Sequence, residues 1–388
     1  MPQQKQDLTS LNRYSKPAEK IALFRSLFRG RTDVYPQRFE SRKTGKAGYS
    51  PACANEWVRG VCEKPRIKCS NCPHQKWLPV NDLMVRWHLS GKDSDGKPFV
   101  MGVYPMLLDE RCYLLAIDLD GEGWHLDAQA LIDTAKKLNL PTALERSRSG
   151  NGAHLWFFFE EALPAALARR FGAHLLTEAI EMRPEIGLSS YDRMFPNQDT
   201  LPRGGFGNLI ALPLQKAARD KKNSVFLNET FEPFADQWMF LAGLQKIGSD
   251  TVKQIVLQAE KNNRILPVRS APTDELELTP WQRSPSRSLK EPTIEVSISE
   301  ALEIVLADKI YIPKAKLPAV LRNHILHLAA FQNPEFYKAQ AMRLPTYDKP
   351  RIIACAEEHP EHIALPRGCL EEFDRKQTFF PGSSNLQA

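Results

Sequence analysis

The chain is 388 residues long, enough for two or three domains that each bury a core. Its 42% hydrophobic and 25% charged residues are those of a globular protein, and no apolar run approaches the length of a bilayer span, so composition excludes a membrane-spanning role. A net charge of +6 permits a polyanionic partner without requiring one. The polar opening from Met1 to Lys20 reads as neither a signal peptide nor a transit helix, which points to the cytoplasm with no membrane partner.

An N-terminal helical segment is expected over residues 1–30, followed by a basic and zinc-binding region over 31–98. From Arg31 to Tyr49 the chain is rich in Arg, Lys and Gly. Tyr35, Phe39 and Tyr49 are placed there to stack on bases while the cations meet phosphates, although a solvated loop has the same composition. Four of the seven cysteines, Cys53, Cys62, Cys69 and Cys72, follow in a C-x8-C-x6-C-x2-C pattern. Four thiolates can close a tetrahedral structural zinc site, and the C-x2-C half has knuckle spacing, with His74 an alternative ligand. A Walker-like stretch from Gly91, GKDSDGKP, has Pro98 where Ser or Thr must bind magnesium and is rejected.

Residues 99–262 carry the regular pattern of a catalytic core. FVMGVYPML and CYLLAIDLD read as two strands of a hairpin turning at Asp109 and Glu110. A helix is expected over Asp127–Leu138, a strand over Thr142–Glu145 and an aromatic strand over Ala153–Phe159. A helix from Pro164 to Met182 and strands at Tyr191–Phe195, Leu209–Leu214 and Val225–Leu227 follow. From Tyr113 onward the order is strand, helix, strand, strand, helix, strand, that of a split βαβ or ferredoxin-like unit within an α/β (α+β) protein. In that unit the first strand is central and antiparallel to the third and fourth. Its end therefore lies beside their starts. Two further helices, Phe234–Ile247 and Asp250–Asn262, close the core. A Pro/Ser-rich linker occupies 263–296, and a small helical C-terminal module 297–388, with amphipathic helices at Ile298–Leu306 and Pro318–Phe331.

Three places on the predicted sheet edge carry chemistry. Asp118 and Asp120 end an apolar strand and, two residues apart, point the same way. Such a pair can clamp two divalent cations for phosphoryl transfer, or can form a turn after a buried strand. SRSGNGAHLWFFF is a flexible loop of Ser147, Ser149, Gly150, Asn151 and Gly152 running into a strand, with backbone N–H groups open to phosphates and His154 placed to donate to a triphosphate oxygen. In SSYDRMFPNQD, Asp192 is the candidate third metal carboxylate, with Asp199 as its competitor. Arg203, Asn208 and Lys216 are candidate contacts to sugar and phosphate downstream.

The motifs DLD, SGNGAH and YDRMFPNQD, followed by GGFGNLIALPLQ, resemble the three catalytic motifs of the archaeo-eukaryotic primase superfamily. More narrowly, KTGKAGYSPACANEW, ERSRSGNGAHLWFFF and FPNQDTLPRGGFGNLIALPLQ resemble the primase domain of TOTE conflict systems, over about Asp33 to Trp238. The resemblance implies an RRM-like βαββαβ palm with a zinc-binding insertion, and a template-directed nucleotidyltransferase (a primase or primase-polymerase) using Mg2+ or Mn2+. It implies that Asp118, Asp120 and Asp192 hold the metals and that His154 contacts the incoming nucleotide, with Arg148, Ser149, Asn151, Asn208 and Lys216 as further nucleotide-binding candidates. Gly152 meets the family's need for a small residue two before the histidine. Partners implied are a single-stranded DNA template, nucleoside triphosphates, and a helicase and nuclease of the same defence system. LAAFQNPEFYKAQAMRL, PRIIACAEEHP and LPRGCLEEF resemble the primase-helicase junction of such proteins.

Two other functions fit parts of the sequence. AIDLDG is also the strand-end motif of haloacid dehalogenase-type phosphatases, which requires a parallel, doubly wound sheet around Asp118. A nucleic-acid-binding module that has lost catalysis and only recruits partners is the other, and nucleotide incorporation separates it from a polymerase.

Overall fold

The computed structural model describes residues 11–41, 44–262, 264–265, 303–315, 317–375 and 386–387. The chain forms two compact units, one of residues 1–172 and 193–253, the other of 173–192 and 254–388.

The first unit begins with α1 (Pro17–Leu27), started by a proline at its first turn and by the carboxylate of Glu19 accepting from Lys16 N–H. A hairpin of β1 (Pro36–Glu40) and β2 (Ala47–Pro51) follows, then α2 (Asp82–Ser90), capped by Asn81 and ended by Gly91 in the left-handed region. Next come β3 (Gly102–Val103), β4 (Arg111–Asp120), α3 (Trp124–Lys137), β5 (Ala143–Arg146), β6 (Gly152–Pro164) and α4 (Ala165–Met182), whose residues from 173 on belong to the second unit. Then follow β7 (Met194–Phe195), β8 (Ile210–Ala211), α5 (Lys216–Arg219), β9 (Val225–Phe226), α6 (Gln237–Ala242) and α7 (Ser249–Lys261), whose residues from 254 on belong to the second unit.

The central sheet has the order β7-β4-β6-β5-β9 with every neighbour antiparallel. Its first four positions have the strand order of the split βαβ unit that the sequence predicts, and β9 adds a fifth at the edge. β6 is the longest strand, and its alternation places large rings on both faces. Phe157 and Phe159 meet Phe171 of α4 at 5.6 and 6.3 Å between ring centres. Trp156 and Phe158 meet Phe28 edge-on at 5.2 and 5.3 Å. All six rings are buried, and each contributes roughly 1.5–3 kcal/mol of hydrophobic stabilisation. This double-sided burial holds β4 and β6 rigidly in register from Asp118↔His154 to Asp120↔Gly152.

The expected hairpin over residues 99–119 does not form. β3 pairs instead with β8, more than a hundred residues away, with Gly102 opposite Ala211. Pro105 lacks the N–H a ladder needs, and a separate tight turn, Glu110 N–H to Leu107 O and Leu107 N–H to Arg111 O, starts β4.

The second unit corrects the expectation of a helical module. It contains β10 (Ile304–Leu306), β11 (Lys309–Pro313), α8 (Ala319–Leu328), β12 (Ala330–Gln332), α9 (Pro334–Ala341), β13 (Ile352–Ala354), β14 (Glu357–Glu358), β15 (His362–Pro366), α10 (Leu370–Arg375) and β16 (Leu386–Gln387). Five of its strands form a sheet in the order β14-β15-β11-β10-β16, whose core includes Ile310, Ile312, Leu321, Ile325, Ile363 and Leu365. The end of the stretch read as a helix, Ile304–Leu306, is a strand paired with β11. The linker lies outside the described residues except for 264 and 265. Among the described residues no helix is long and apolar enough to cross a membrane.

Candidate active site

Asp118 and Asp120 stand at the end of β4 on one face, separated by the buried Leu119. Asp118 N–H donates to Arg193 O at 2.9 Å, which ties the strand end to the segment entering β7. On the other side Asp118 pairs with His154, whose Nε2 lies 3.5 Å from Asp118 Oδ1. The side chain of Asp118 is 24% exposed and that of Asp120, 3.3 Å from Arg193 Nη1, is 56% exposed. Burial pushes the Asp118 carboxyl upward; His154 opposes this, and the charge on Asp120 adds to it.

One strand further on, His154 Nδ1 donates to Glu145 Oε2 at 2.9 Å. Trp156 Nε1 donates to the same oxygen at 3.0 Å and Ser224 Oγ donates to Oε1 at 3.2 Å. Glu145 is 2% exposed. Burial alone would depress the imidazole's pKa, but Glu145, by charge and hydrogen bond, and then Asp118 and Asp120 outweigh it and hold the group above its ordinary value. A carboxylate, an imidazole and a second carboxylate thus run across β4, β6 and β5 in one row.

Gly152 is required where β6 opens. A Cβ there would stand 2.5 Å from Leu119 O and 2.7 Å from Asp120 Oδ1. The loop before it closes on itself: Ser147 N–H donates to Gly152 O, Asn151 N–H donates to Ser149 Oγ, and the hydroxyls of Ser147 and Ser149 lie 3.0 Å apart. Arg148 has a buried Nε without a hydrogen-bond partner among the described residues. Burial and then Arg38 lower the pKa of its guanidinium, and Arg148 and Arg38 together oppose the burial that raises the Tyr49 hydroxyl. The β1–β2 hairpin therefore brings Arg38 and Tyr49 to this loop.

The other sequence candidates divide. Phe39 is exposed as base stacking requires, whereas Tyr35 is buried with its hydroxyl on Met84 Sδ, and is removed from the stacking set. Asp199 accepts from Arg169 Nε at 2.7 Å, an ion pair, and Asp192 is likewise engaged, with Arg351 Nε 3.7 Å from its Oδ1. Asn208 braces the β7 strand, accepting from Asn197 N–H and donating to Met194 O, and Lys216 Nζ donates to both Asp220 oxygens at 2.7 Å. The Asp192 carboxylate accepts Arg351 N–H at 3.0 and 3.1 Å. Arg203 lies exposed.

Cys53, Cys62, Cys69, Cys72 and His74 line one small cavity of about 20 Å³. Cys53 Sγ accepts from Lys76 N–H and Cys72 Sγ from His74 N–H, both at 3.4 Å. Burial raises the Cys69 thiol, with Lys64 opposing. Among the described residues no three His, Cys, Asp or Glu side chains already stand at coordinating distance from a common point.

Glu145 was not singled out from the sequence. The available sign was an acidic residue inside the apolar strand ALER, at a position that alternation puts on the face shared with His154.

The sequence matches the family described as the TOTE conflict system, Archaeo-Eukaryotic Primase domain, over residues 19–255. No curated protein matches the chain. Among solved structures, the polymerase domain from Mycobacterium tuberculosis Ligase D in complex with DNA is similar at 11% identity and a TM-score of 0.28, covering 64% of this chain and 90% of that one.

Proposed function

The chain belongs to the archaeo-eukaryotic primase domain family of TOTE conflict systems, and from that premise we propose that it is a template-directed nucleotidyltransferase, a primase or primase-polymerase. The observation that carries the reading is the row at the end of β4: two carboxylates on one face, with His154 opposite the first.

Asp118 and Asp120 suit divalent cations. Burial and mutual repulsion make the Asp118 charge unfavourable in the bare protein, and a dication relieves both. Asp192 is proposed as the third carboxylate, which entails release from Arg351 N–H. Bound Mg2+ or Mn2+ would lower the pKa of a strand's 3′-hydroxyl and neutralise charge on the leaving pyrophosphate. The chain's own residues orient the substrate. His154, whose charged form Glu145 favours, presents Nε2 toward the acid pair as a donor for a triphosphate oxygen. In the loop from Ser147 to Asn151 the N–H groups of Ser147, Gly150 and Asn151 are bonded within the loop, which leaves those of Arg148 and Ser149 for a phosphate, and Arg148 adds a guanidinium with a buried, unbonded Nε.

We assign the four cysteines to a structural zinc ion. Their shared cavity and the two N–H···S bonds are the supporting observations, since backbone donors stabilise the thiolate form that zinc binds. Template binding and action with a helicase and nuclease in defence against foreign DNA complete the reading on family grounds, and a cytoplasmic location on the polar stretch from Met1 to Lys20. The antiparallel neighbours of β4 disfavour the phosphatase alternative, which needs a parallel sheet there.

The test offers purified protein a single-stranded DNA template, labelled nucleotides and Mg2+ or Mn2+, with and without a primer, beside an Asp118→Ala plus Asp120→Ala variant. Product made by the wild type and lost in the variant is expected. Template binding without product under either metal would leave the recruiting module instead.

A further inference from the structure

A half-open crevice of about 920 Å³ runs between the C-terminal half of α1, the turn after it, β3 and the start of β4. Its walls carry four cations, Arg25, Arg29, Arg31 and Lys246, against one carboxylate, Asp82. Two cations are answered within the fold, Arg25 by Asp82 and Arg31 by Asp33. Among the described residues, Arg29 and Lys246 have no carboxylate within salt-bridge distance. Arg29 sits over the Tyr113 ring, its Cζ 3.3 Å from the ring centre, and Lys246 Nζ donates to Ser26 O at 2.9 Å. Burial, and then the charge of Arg29, lower the Lys246 amine, with Glu160 offsetting part of this. Two like charges therefore gather in a partly desolvated place, at a cost that Glu160 offsets only in part and no carboxylate among the described residues answers at salt-bridge distance.

The arrangement is held in place. Arg31 N–H donates to Tyr104 O at 3.0 Å, and a Cβ on Gly30 would stand 2.4 Å from that oxygen, so the backbone beside Arg29 is pressed against its neighbour. Tyr113 falls at the register shift between Cys112 and Leu114, where the pairing with β6 is irregular. A guanidinium stacked on a ring keeps its N–H edge free, the fork that fits phosphate oxygens. Unanswered cations beside an aromatic ring, in a half-open crevice, suit an extended polyanion with bases to stack.

We propose that this crevice holds the phosphodiester backbone of a single nucleic-acid strand, with Arg29 and Lys246 on its phosphates, roughly 17 Å along β4 from Asp118 at about 3.3 Å per residue. The nature of the polyanion rests on the nucleotidyltransferase reading.

The experiment titrates a labelled single-stranded oligonucleotide by fluorescence anisotropy at several salt concentrations. It compares wild type, Lys246→Ala, Arg29→Lys, Arg29→Ala plus Lys246→Ala, and Lys253→Gln, which removes an exposed surface cation of α7. Each phosphate contact contributes about 0.7 to the slope of log K against log salt for a single strand, so the double variant should lose about 1.4 and Lys246→Ala about 0.7. Arg29→Lys keeps the charge and should keep the slope. If the double variant does not fold, Lys246→Ala decides alone. An unchanged slope and affinity, or an equal loss in Lys253→Gln, overturns the proposal. A wild type that binds the strand with this charge dependence yet adds no nucleotide retires the transferase reading and leaves the crevice standing.

Discussion

Removing the Glu145 carboxylate tests the row of groups behind the acid pair without relying on activity. Glu145→Ala strands two buried donors, Trp156 Nε1 and Ser224 Oγ, each bonded only to that carboxylate in the contacts described above. An unsatisfied buried donor costs about 1–3 kcal/mol, so the substitution should destabilise the protein by about 2–6 kcal/mol. At about 2–4 °C per kcal/mol for a domain of this size, Tm should fall by about 5–20 °C. In a Trp156→Phe background one donor is already gone, and the same substitution should cost about 1–3 kcal/mol less. Glu145→Gln keeps an acceptor for both rings and removes only the charge. The folded His154 has a pKa above its ordinary value, so its contribution is fully present below the unfolded imidazole's pKa, about 6.5, and is lost as pH rises through the folded value. Thermal unfolding in the presence of a chelator, from acidic to alkaline buffer, should therefore show wild type losing stability over that window and Glu145→Gln running flatter. Parallel pH profiles, or additive costs in the Trp156→Phe cycle, would refute the electrostatic account of the row.

Gly152→Ala should abolish most incorporation and destabilise the fold by about 1–3 kcal/mol, because its Cβ meets Leu119 O and Asp120 Oδ1; a variant as active as wild type would show that the strand opening yields. The buried His88 accepts from Met101 N–H and donates to Pro213 O, and burial depresses it to about 4. Its neutral form is the folded form, so stability should be lost as pH falls from about 6.5 toward 4, by up to about 3 kcal/mol, and acid unfolding monitored by circular dichroism should move to lower pH in a well-folded His88→Gln variant. Metal analysis of protein purified without chelator should find one zinc per chain, lost in Cys69→Ser; a zinc-free wild type that is equally stable would remove the metal assignment.

The strand order around Asp118 was legible because it depends on local alternation and connection order, which a sequence carries directly. β4, β5 and β6 alternate or run apolar over their own length, and the helices between them have clear periods. Once that order is known, the pairing of Asp118 with His154 follows from topology. The expected hairpin failed because the partner of β3 is Ile210–Ala211, and no local pattern names a partner so distant. The C-terminal sheet failed similarly: β10 is only three residues long, and a short apolar run does not distinguish helix from strand. Tyr35 looked available as an aromatic, and only its tertiary neighbour, Met84, shows it spent. Glu145 was overlooked for the converse reason, since its value lies wholly in three donors from β6 and the approach to β9.

The two sides of the site differ in how they open. Asp118 is flanked by hydrogen-bonded neighbours on both edges of β4, and His154 lies between β4 and β5, so their amides should exchange with solvent only when the sheet itself unfolds. The loop from Ser147 to Asn151 is closed by a few bonds to itself and should exchange through small local openings. Under the proposed function, the carboxylates would keep their spacing through every turnover, while the loop would admit and release nucleotides by its own fluctuations. A single strand of thirteen residues, β6, thus begins beside that loop and, two residues on, places His154 in the paired sheet.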